Sequence, residues 1–346
     1  MSTMPLDKPA LRRIPDKLST PAARILGSWE SLLAAVAIAI FFANSLASPH
    51  FLDPWNLSDA TYNFTEKAMI AFAMTLLIIS GEIDLSVAAI IALASTAMGA
   101  AAQMGFGAPA LVGIGLGVGL LCGAFNGLLV ARIGLPSIVV TIGTMSLFRG
   151  IAQIVLGDRA YGGYPADFAW FGQGYMSDLS WWPSWPGFEV VTFEMVAFLV
   201  FALLFGVLLH MTAFGRRIYA IGNNAFAAEF SGIPVRRTKF VLFLMTGLMS
   251  GVAAVCLTSR LGSTRHSIAA GWELEIITMT VLGGVSILGG SGSVGGVVLA
   301  AIVMGLVTFG LGLLNVPGIV MSIFTGLLLI LVIALPIVVR RLKASS

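Results

Sequence analysis

The sequence predicts an all-α polytopic membrane protein with about ten transmembrane helices and both termini on the cytoplasmic side. Of its 346 residues, 58% are hydrophobic and only 10% are charged, whereas a soluble domain carries about 25% charged residues. Apolar stretches long enough to cross a bilayer recur along nearly the whole chain. Because lipid offers no partners for backbone hydrogen bonds, we expect these stretches to be helical.

The apolar stretches divide into ten predicted spans of about 20 residues each. The second span begins with polar residues and the eighth is short, so the expected range is about nine to eleven spans. Residues 1–29 form a polar, basic tail before the transmembrane domain at 30–340, and residues 341–346 form a second tail. The ten spans are 31–48, 58–80, 84–104, 109–131, 137–156, 190–212, 240–259, 274–288, 294–314 and 318–339.

The positions of the basic residues predict the orientation. With the N-terminus inside, most of the 19 Lys and Arg residues fall on the cytoplasmic side, where membrane proteins concentrate them. Since topology explains this sorting, the net charge of +3 does not indicate a nucleic-acid partner. The tryptophans lie at span ends or in the outer segment 157–189, where amphipathic rings meet lipid headgroups. The sequence therefore predicts a multi-pass membrane protein with lipid around it.

No catalytic or metal-binding pattern stands out in the sequence. The three His residues are scattered at span ends without metal-ligand spacing, and no nucleophile elbow of the G-x-S-x-G type is present. No Lys follows a Gly, so the phosphate-binding loop G-x-x-x-x-G-K-[ST] is missing. We expect a chain that is not an enzyme and carries no metal or cofactor of its own. If its transport is driven by ATP, the nucleotide site belongs to a partner.

A basic loop at 213–240 interrupts the apolar blocks. It carries five cations against one acid, Glu229, and its centre is a short predicted helix at 224–231 that Gly232 and Pro234 close. An ordered loop tip with small residues and flanking arginines suggests a docking surface for another protein. Membrane topology alone would also explain the cations.

A polar break separates the second and third predicted spans. It contains Gly81, Glu82, Asp84 and Ser86 within the sequence GEIDLSV. An interrupted helix whose N-terminus is capped by Asp84 would explain this pattern. The alternative is a polar lining for a pathway or gate, because ionisable groups at membrane depth are functional candidates.

Two further features have open interpretations. The outer segment 157–189 is rich in Gly, Pro and aromatic residues, and it suits a partner-binding cap, a re-entrant plug or a loop lying on the headgroups. Spans two and three resemble spans eight and nine in sequence and run in the same direction, as in a duplicated transporter core. Chance similarity is the alternative in a chain so rich in Gly and Ala.

Five motifs, taken in order, resemble the permeases of bacterial monosaccharide ABC importers, the ribose, xylose, galactose and rhamnose type that also includes autoinducer-2 permeases. The resemblance covers about residues 30–340, and it is closest to the L-rhamnose permeases and next to the autoinducer-2 permeases. Glu82 departs from the pattern, since most members carry a second glycine there. The motifs are GEIDLSV, LPSIVVTIGTMSLFRGIA, GRRIYAIGNNAFAAEFSGIPVRRTK, RLGSTRHSIAAGWELEIITMTVLGGVSILGGSGSVGG and LLNVPG.

This resemblance implies the ABC importer permease fold in a bacterial inner membrane and a set of partners. Two permease chains, identical or paralogous, would form the pathway, with ATPase subunits that bind ATP and Mg beneath and a periplasmic sugar-binding protein above. Transport would follow alternating access. The residues that match the family's cytoplasmic coupling helix and its flank are Ala225, Phe226, Ala228, Glu229, Phe230, Gly232, Arg236 and Arg237.

Aromatic and amide side chains suit a neutral polyol as substrate. On this ground we select candidate residues for the translocation path on spans three to five. They are Asn126, Thr141, Thr144, Met145 and Phe148, and helix–helix contact is the alternative role for each. A branched-chain amino acid permease is the alternative within the same class. An ion-coupled secondary transporter is the alternative from another class, but it would need midplane acids, and the acids here cluster at span ends.

Overall fold

The computed structural model describes residues 28–327, apart from residues 184, 186, 319, 322, 324 and 325. Within these residues the regular structure is helical, and β-pairing is limited to two isolated bridges, Tyr161 with Thr264 and Tyr175 with Thr192. Residues 1–27 of the predicted N-terminal tail, the predicted C-terminal tail and most of the predicted tenth span, 318–339, lie outside the described residues.

The helices follow the predicted spans in order. A π-helical turn, Leu128–Ile133, extends α5, and two 3₁₀ turns, Ala166–Ala169 and Met176–Asp178, flank α7. The α-helices are α1 (Trp29–Ala47), α2 (Pro54–Thr61), α3 (Thr65–Ile79), α4 (Val87–Gln103), α5 (Ala108–Gly127), α6 (Ser137–Leu156), α7 (Trp170–Gln173), α8 (Phe193–Met211), α9 (Ala213–Asn223), α10 (Ala225–Phe230), α11 (Val235–Leu261), α12 (Trp272–Leu282) and α13 (Val294–Leu313).

Seven helical stretches of the described chain are long and apolar enough to cross a membrane. They confirm the all-helical, polytopic class, while the count of ten and the orientation with both termini inside remain predictions. The seven are α1, α2 with α3, α5 with its π turn, α6, α8, α11 and α13.

Two predicted spans differ from full-length helices. The apolar α4 has 17 residues. The predicted eighth span, 274–288, contains the 11-residue α12, which is about 16 Å long and covers about half of a 30 Å hydrocarbon core. Its helix ends because Gly284 takes a φ of 87°, in the left-handed region that a continuing helix excludes.

The centre of the bundle is α3. All of its residues except Lys67 are buried, and α8, α9, α11, α12 and α13 pack around it. A helix that is buried all round belongs to a core. By contrast, α1, α6 and α8 carry many exposed large apolar side chains, as expected for helices at the lipid-facing or partner-facing perimeter.

Small residues bring α5 and α11 into backbone contact. Gly119 and Gly123 on α5 face Gly247 and Gly251 on α11, and an added Cβ on Gly119 would lie 2.9 Å from the Cα of Gly251. This spacing of four residues on both helices is typical of close membrane-helix packing. Most of α11 is buried in this way.

The bundle has two distinct ends. The basic end carries α9 and α10 and two irregular segments, which we name the first break (80–86, between α3 and α4) and the second break (283–293, between α12 and α13). The aromatic end carries the segment 157–189. At the basic end the two breaks meet, because the N–H of Gly290 donates to the Ile79 carbonyl at 2.9 Å. Ser86 and Ser293 are the N-caps that end the two breaks, and the predicted duplication remains a prediction.

The contact between α5 and α11 can be tested at two glycines of α5, where substitution by alanine should change stability in different directions. Gly119→Ala should lower stability by about 1–3 kcal/mol, because the new methyl group overlaps the α11 backbone. Gly113→Ala should be neutral or stabilising by up to about 1 kcal/mol, since nothing lies within 4 Å of that position. Thermal unfolding of the two variants in detergent measures the difference, and equal midpoints would contradict this packing.

Candidate functional site

The centre of the basic loop is an ordered helix with a cap at each end. The Asn224 side chain accepts a hydrogen bond from the N–H of Ala227 at 2.9 Å and begins α10. Gly232 closes the segment with a φ of 81°, a backbone conformation that favours glycine. The prediction of a short helix over 224–231 is therefore confirmed.

This helix presents a pair of exposed aromatic rings. Phe226 and Phe230 are 71% and 79% exposed, and their ring centroids lie 4.5 Å apart, as expected for residues one turn apart on one face. Ala228 faces the opposite way and is buried against Ile221 and Val235. Two large exposed rings on a fixed helix are typical of a protein docking surface.

The other residues predicted for this segment surround the aromatic pair. Ala225 is half-buried against the same apolar cluster as Ala228. Glu229, Gly232, Arg236 and Arg237 are exposed, so the two arginines lie free to meet an acidic partner. The structure brings the eight predicted residues together on one projecting segment, and their role in coupling remains a prediction.

The amphipathic helix α9 rests on both breaks. A Cβ on Gly222 would overlap the Ile79 carbonyl oxygen, at the start of the first break, and would lie 2.5 Å from the nitrogen of Gly290, in the second break. The Tyr219 hydroxyl donates to the Gly292 carbonyl at 2.7 Å. Since α10 follows α9 directly, the aromatic pair is mechanically joined to both breaks.

A salt bridge joins the other side of the basic loop to the first break. Lys239, near the start of α11, pairs with Glu82. Both side chains are less than one-fifth exposed, so the pair is more strongly attractive than one in open solvent. Glu82, the acid that departs from the family pattern, thus has a structural partner within the chain.

Asp84 is the fixed point of the first break. Its fully buried carboxylate accepts hydrogen bonds from the Ser86 N–H at 2.8 Å, the Ser86 hydroxyl at 2.6 Å and the Thr246 hydroxyl at 3.3 Å. The predicted N-cap role of Asp84 is wrong: Ser86 is the N-cap of α4, and Asp84 bonds to the backbone two residues on, as in an Asx turn. Gly81 enters the break with a φ of 87°.

The five predicted path residues lie between α4, α5 and α6. Asn126 donates to the Ser86 hydroxyl at 2.8 Å, and Thr141 donates to the Ser137 carbonyl at 2.8 Å. Phe148 and the half-buried Met145 pack with Ile90 and Cys122. Asn126, Thr141, Thr144 and Phe148 are buried within this chain. The bond of Thr141 to Ser137 lies within α6, whereas Asn126 and Phe148 contact other elements, and a role in translocation remains a prediction.

The first half of the segment 157–189 packs onto the bundle. Phe168 is fully buried, and its carbonyl accepts from the Ser259 hydroxyl at 2.6 Å. Gly172 lies against the α11 backbone. Further along, Trp181 and Trp185 are exposed. Residues around 161–175 therefore form a fitted cap at the aromatic end, and the exposed tryptophans follow it.

Sequence reasoning missed several residues of the site. Gly222, Tyr219 and Thr246 gave no local signal, because their importance lies in contacts with segments far away in sequence. Lys239 counted only as a topology signal. The unusual acid Glu82 was the one available hint that a buried cation lies opposite it.

Comparison with known proteins gives the family. The family model described as branched-chain amino acid transport system / permease component matches residues 56–333. The chain belongs to this family of transport permeases. It is therefore a transport component rather than an enzyme, and a multi-pass protein of the inner membrane. No solved structure matches the chain.

Several relatives carry the same printed name, autoinducer 2 import system permease protein LsrD. One from Salmonella paratyphi B is 36% identical over 312 residues, which are 88% of this chain and 90% of the relative. One from Yersinia enterocolitica is 35% identical over 311 residues, with the same coverage, and one from Yersinia pseudotuberculosis is 33% identical. The resemblance to importer permeases of the sugar and autoinducer-2 type is thus confirmed.

The bond between Glu82 and Lys239 can be measured by a double-mutant cycle. We expect Glu82→Gln, Lys239→Met and the double variant to give a coupling free energy of about 1.5–3 kcal/mol, because each single change leaves a poorly solvated charge unpaired. The measurement is chemical or thermal unfolding in detergent. Arg237→Met, an exposed cation two residues away, is the matched control and should stay within about 0.5 kcal/mol. A coupling free energy near zero would contradict the pairing.

Proposed function

We propose that this chain is the membrane-spanning permease subunit of an ABC importer for a small, neutral, sugar-like compound. Separate ATPase subunits hold ATP and Mg and drive alternating access, while this chain breaks no covalent bond. The observation that carries the proposal is the exposed Phe226 and Phe230 pair on α10, which directly follows the helix α9 that contacts both breaks. The family match and the relatives support it.

The coupling helix α10 would insert its aromatic face into a cleft of the ATPase subunit. Aromatic anchors dominate binding free energy at protein interfaces, and Arg236 and Arg237 add charge for an acidic rim. When the ATPase subunits close, they would displace α10, and α9 would carry that movement to the first and second breaks through Gly222 and Tyr219. A flexible loop would lose this displacement, whereas a capped helix transmits it.

The breaks suit a gate at the basic end. Irregular backbone at membrane depth is tolerated where protein buries it or where it lines a cavity, and broken helices mark the moving parts of many transporters. Here Asp84 and its hydrogen bonds keep the first break in one arrangement. A movement of α9 would therefore shift a defined segment rather than a disordered one.

The substrate follows from the relatives rather than from the site. Their printed name assigns them to autoinducer 2 import, and we place autoinducer-2 or a monosaccharide first among substrates for this chain. L-Rhamnose, which the motifs favoured, remains a candidate within that class. The binding protein that works with the permease would select the compound, so the retained ligand of that binding protein identifies it.

The partners proposed are ATPase subunits at the basic end, a periplasmic substrate-binding protein at the aromatic end, and a second permease, identical or paralogous. The fitted cap at 161–175 and the exposed tryptophans beyond it offer a surface for the binding protein. The exposed apolar faces of α6 and α8 offer surface for lipid or for the second permease. This arrangement requires the cytoplasmic side to be the basic end, as the Lys and Arg distribution predicts.

Removal of the aromatic pair should detach the ATPase subunit. We expect Phe226→Ala with Phe230→Ala to weaken its binding by at least about 30-fold, the effect of losing one hot spot of about 2 kcal/mol. Co-purification and surface binding with the purified ATPase subunit measure this. Met104→Ala, an exposed apolar residue at the opposite end, is the control and should bind normally.

A transport assay in vesicles distinguishes an ATP-driven importer from an ion-coupled carrier. Vesicles that contain the permease, the ATPase subunits and the binding protein should import the compound only when ATP is present. Import by the permease chain alone under an ion gradient would overturn the proposal.

A further inference from the structure

A buried cluster of charged groups lies at the aromatic end, away from the coupling segment. Glu66 on α3 and Glu194 on α8 are each 1% exposed. Arg260 on α11 donates two hydrogen bonds to Glu66, from Nε to Oε1 at 3.0 Å and from Nη2 to Oε2 at 2.8 Å. The cluster therefore joins three helices that are distant in sequence.

Glu194 forms no ion pair with a cation of the described residues. One of its oxygens, Oε2, accepts from the Thr65 hydroxyl at 2.9 Å. The other, Oε1, is buried and has no hydrogen-bond partner among the described residues when both carboxyl groups are ionised. Because Glu194 bonds to Thr65, the chain neighbour of Glu66, two negative charges would lie beside one guanidinium that is already engaged.

The neighbouring groups do not supply a second positive charge for the two carboxylates. Lys67 is turned away, since it pairs with Glu275 at 2.5 Å and lies 4.9 Å from the Trp272 ring centroid. The Tyr62 ring lies 5.6 Å from the Arg260 guanidinium carbon. Neither Tyr62 nor Cys256 brings a positive charge. An ionised carboxylate buried without a donor costs several kcal/mol, and two carboxylates at one site do not both ionise easily.

We propose that Glu194 is a proton-binding site whose O–H group donates from Oε1 to the Glu66 carboxylate. Thr65, Glu194, Glu66 and Arg260 then form one continuous chain of hydrogen bonds with no net charge. The proton satisfies the orphaned oxygen and removes the repulsion between the two acids. It thereby holds the ends of α3, α8 and α11 together.

Protons can reach this site from the aromatic end. A cavity of ≈ 530 Å³ opens beside the cluster and is lined by Arg260, Tyr62 and Asp59 among others. Since the folded chain keeps a proton that an unfolded glutamate releases at neutral pH, the cluster should stabilise the fold at low pH and weaken as the pH rises. The bound proton thus stabilises the contacts among α3, α8 and α11 at the aromatic end of the bundle.

The test compares two isosteric substitutions in the full-length chain in lipid nanodiscs. Glu194→Gln keeps a donor toward Glu66 and an acceptor for Thr65 without taking up a proton, so its melting temperature at neutral pH should equal or exceed that of the wild type, and it should vary less with rising pH. Glu66→Gln leaves the Arg260 charge unpaired and should lower the melting temperature by about 5 °C or more.

Infrared spectroscopy reports the proton directly. The difference spectrum of wild type minus Glu194→Gln should show the carbonyl stretch of a protonated carboxylic acid at neutral pH, and that band should disappear when the pH is raised. A missing band would overturn the proposal, as would a Glu194→Gln variant that melts as early as Glu66→Gln. Neither readout depends on transport, so the result is separate from the importer assignment.

Discussion

The structure depends on the close approach of α9 to the ends of two interrupted helices. Gly222 lies against the Ile79 carbonyl and the backbone of Gly290, with no room for a side chain. A contact made by backbone atoms on both sides cannot yield by a change of rotamer, so movement of α9 must move the breaks. In the proposed function, a displacement of α10 would therefore also displace both breaks.

Three kinds of interaction hold the helices around this contact: glycine packing, hydrogen bonds and ion pairs. Glycines on α5 and α11 fix the distance between these two helices, and both helices contact the first break through side chains. Asp84 and the pair of Glu82 with Lys239 hold the break itself by hydrogen bonds and charge. At the opposite end, Glu66 and Arg260 join α3 to α11. The helix α3 is thus held at both ends.

The sequence predicted features that are local and missed those that are not. Composition and apolar length predicted the helical membrane class, and the caps of α10 followed from Asn224 and Gly232. The eighth span, 274–288, was expected to be short, but its helix ends already at Leu282 because hydropathy does not register the left-handed Gly284 that follows. Asp84 was misread as an N-cap because the sequence did not show that α4 begins only after Ser86, and its contact with Thr246, 162 residues away, gave no local signal. Contacts of this kind, including that of Gly222, leave no pattern in a single sequence.

The most direct test of the account is the ratio of compound imported to ATP hydrolysed in vesicles containing the complete transporter. Gly222→Ala alters the contact of α9 with both breaks but leaves Phe226 and Phe230 in place, and Gly206→Ala, in open space on α8, is its control. The account predicts that the Gly222 variant binds the ATPase subunits and hydrolyses ATP while its import ratio falls at least about 10-fold, equivalent to about 1.4 kcal/mol of lost coupling. An unchanged ratio in a folded Gly222→Ala transporter would contradict it.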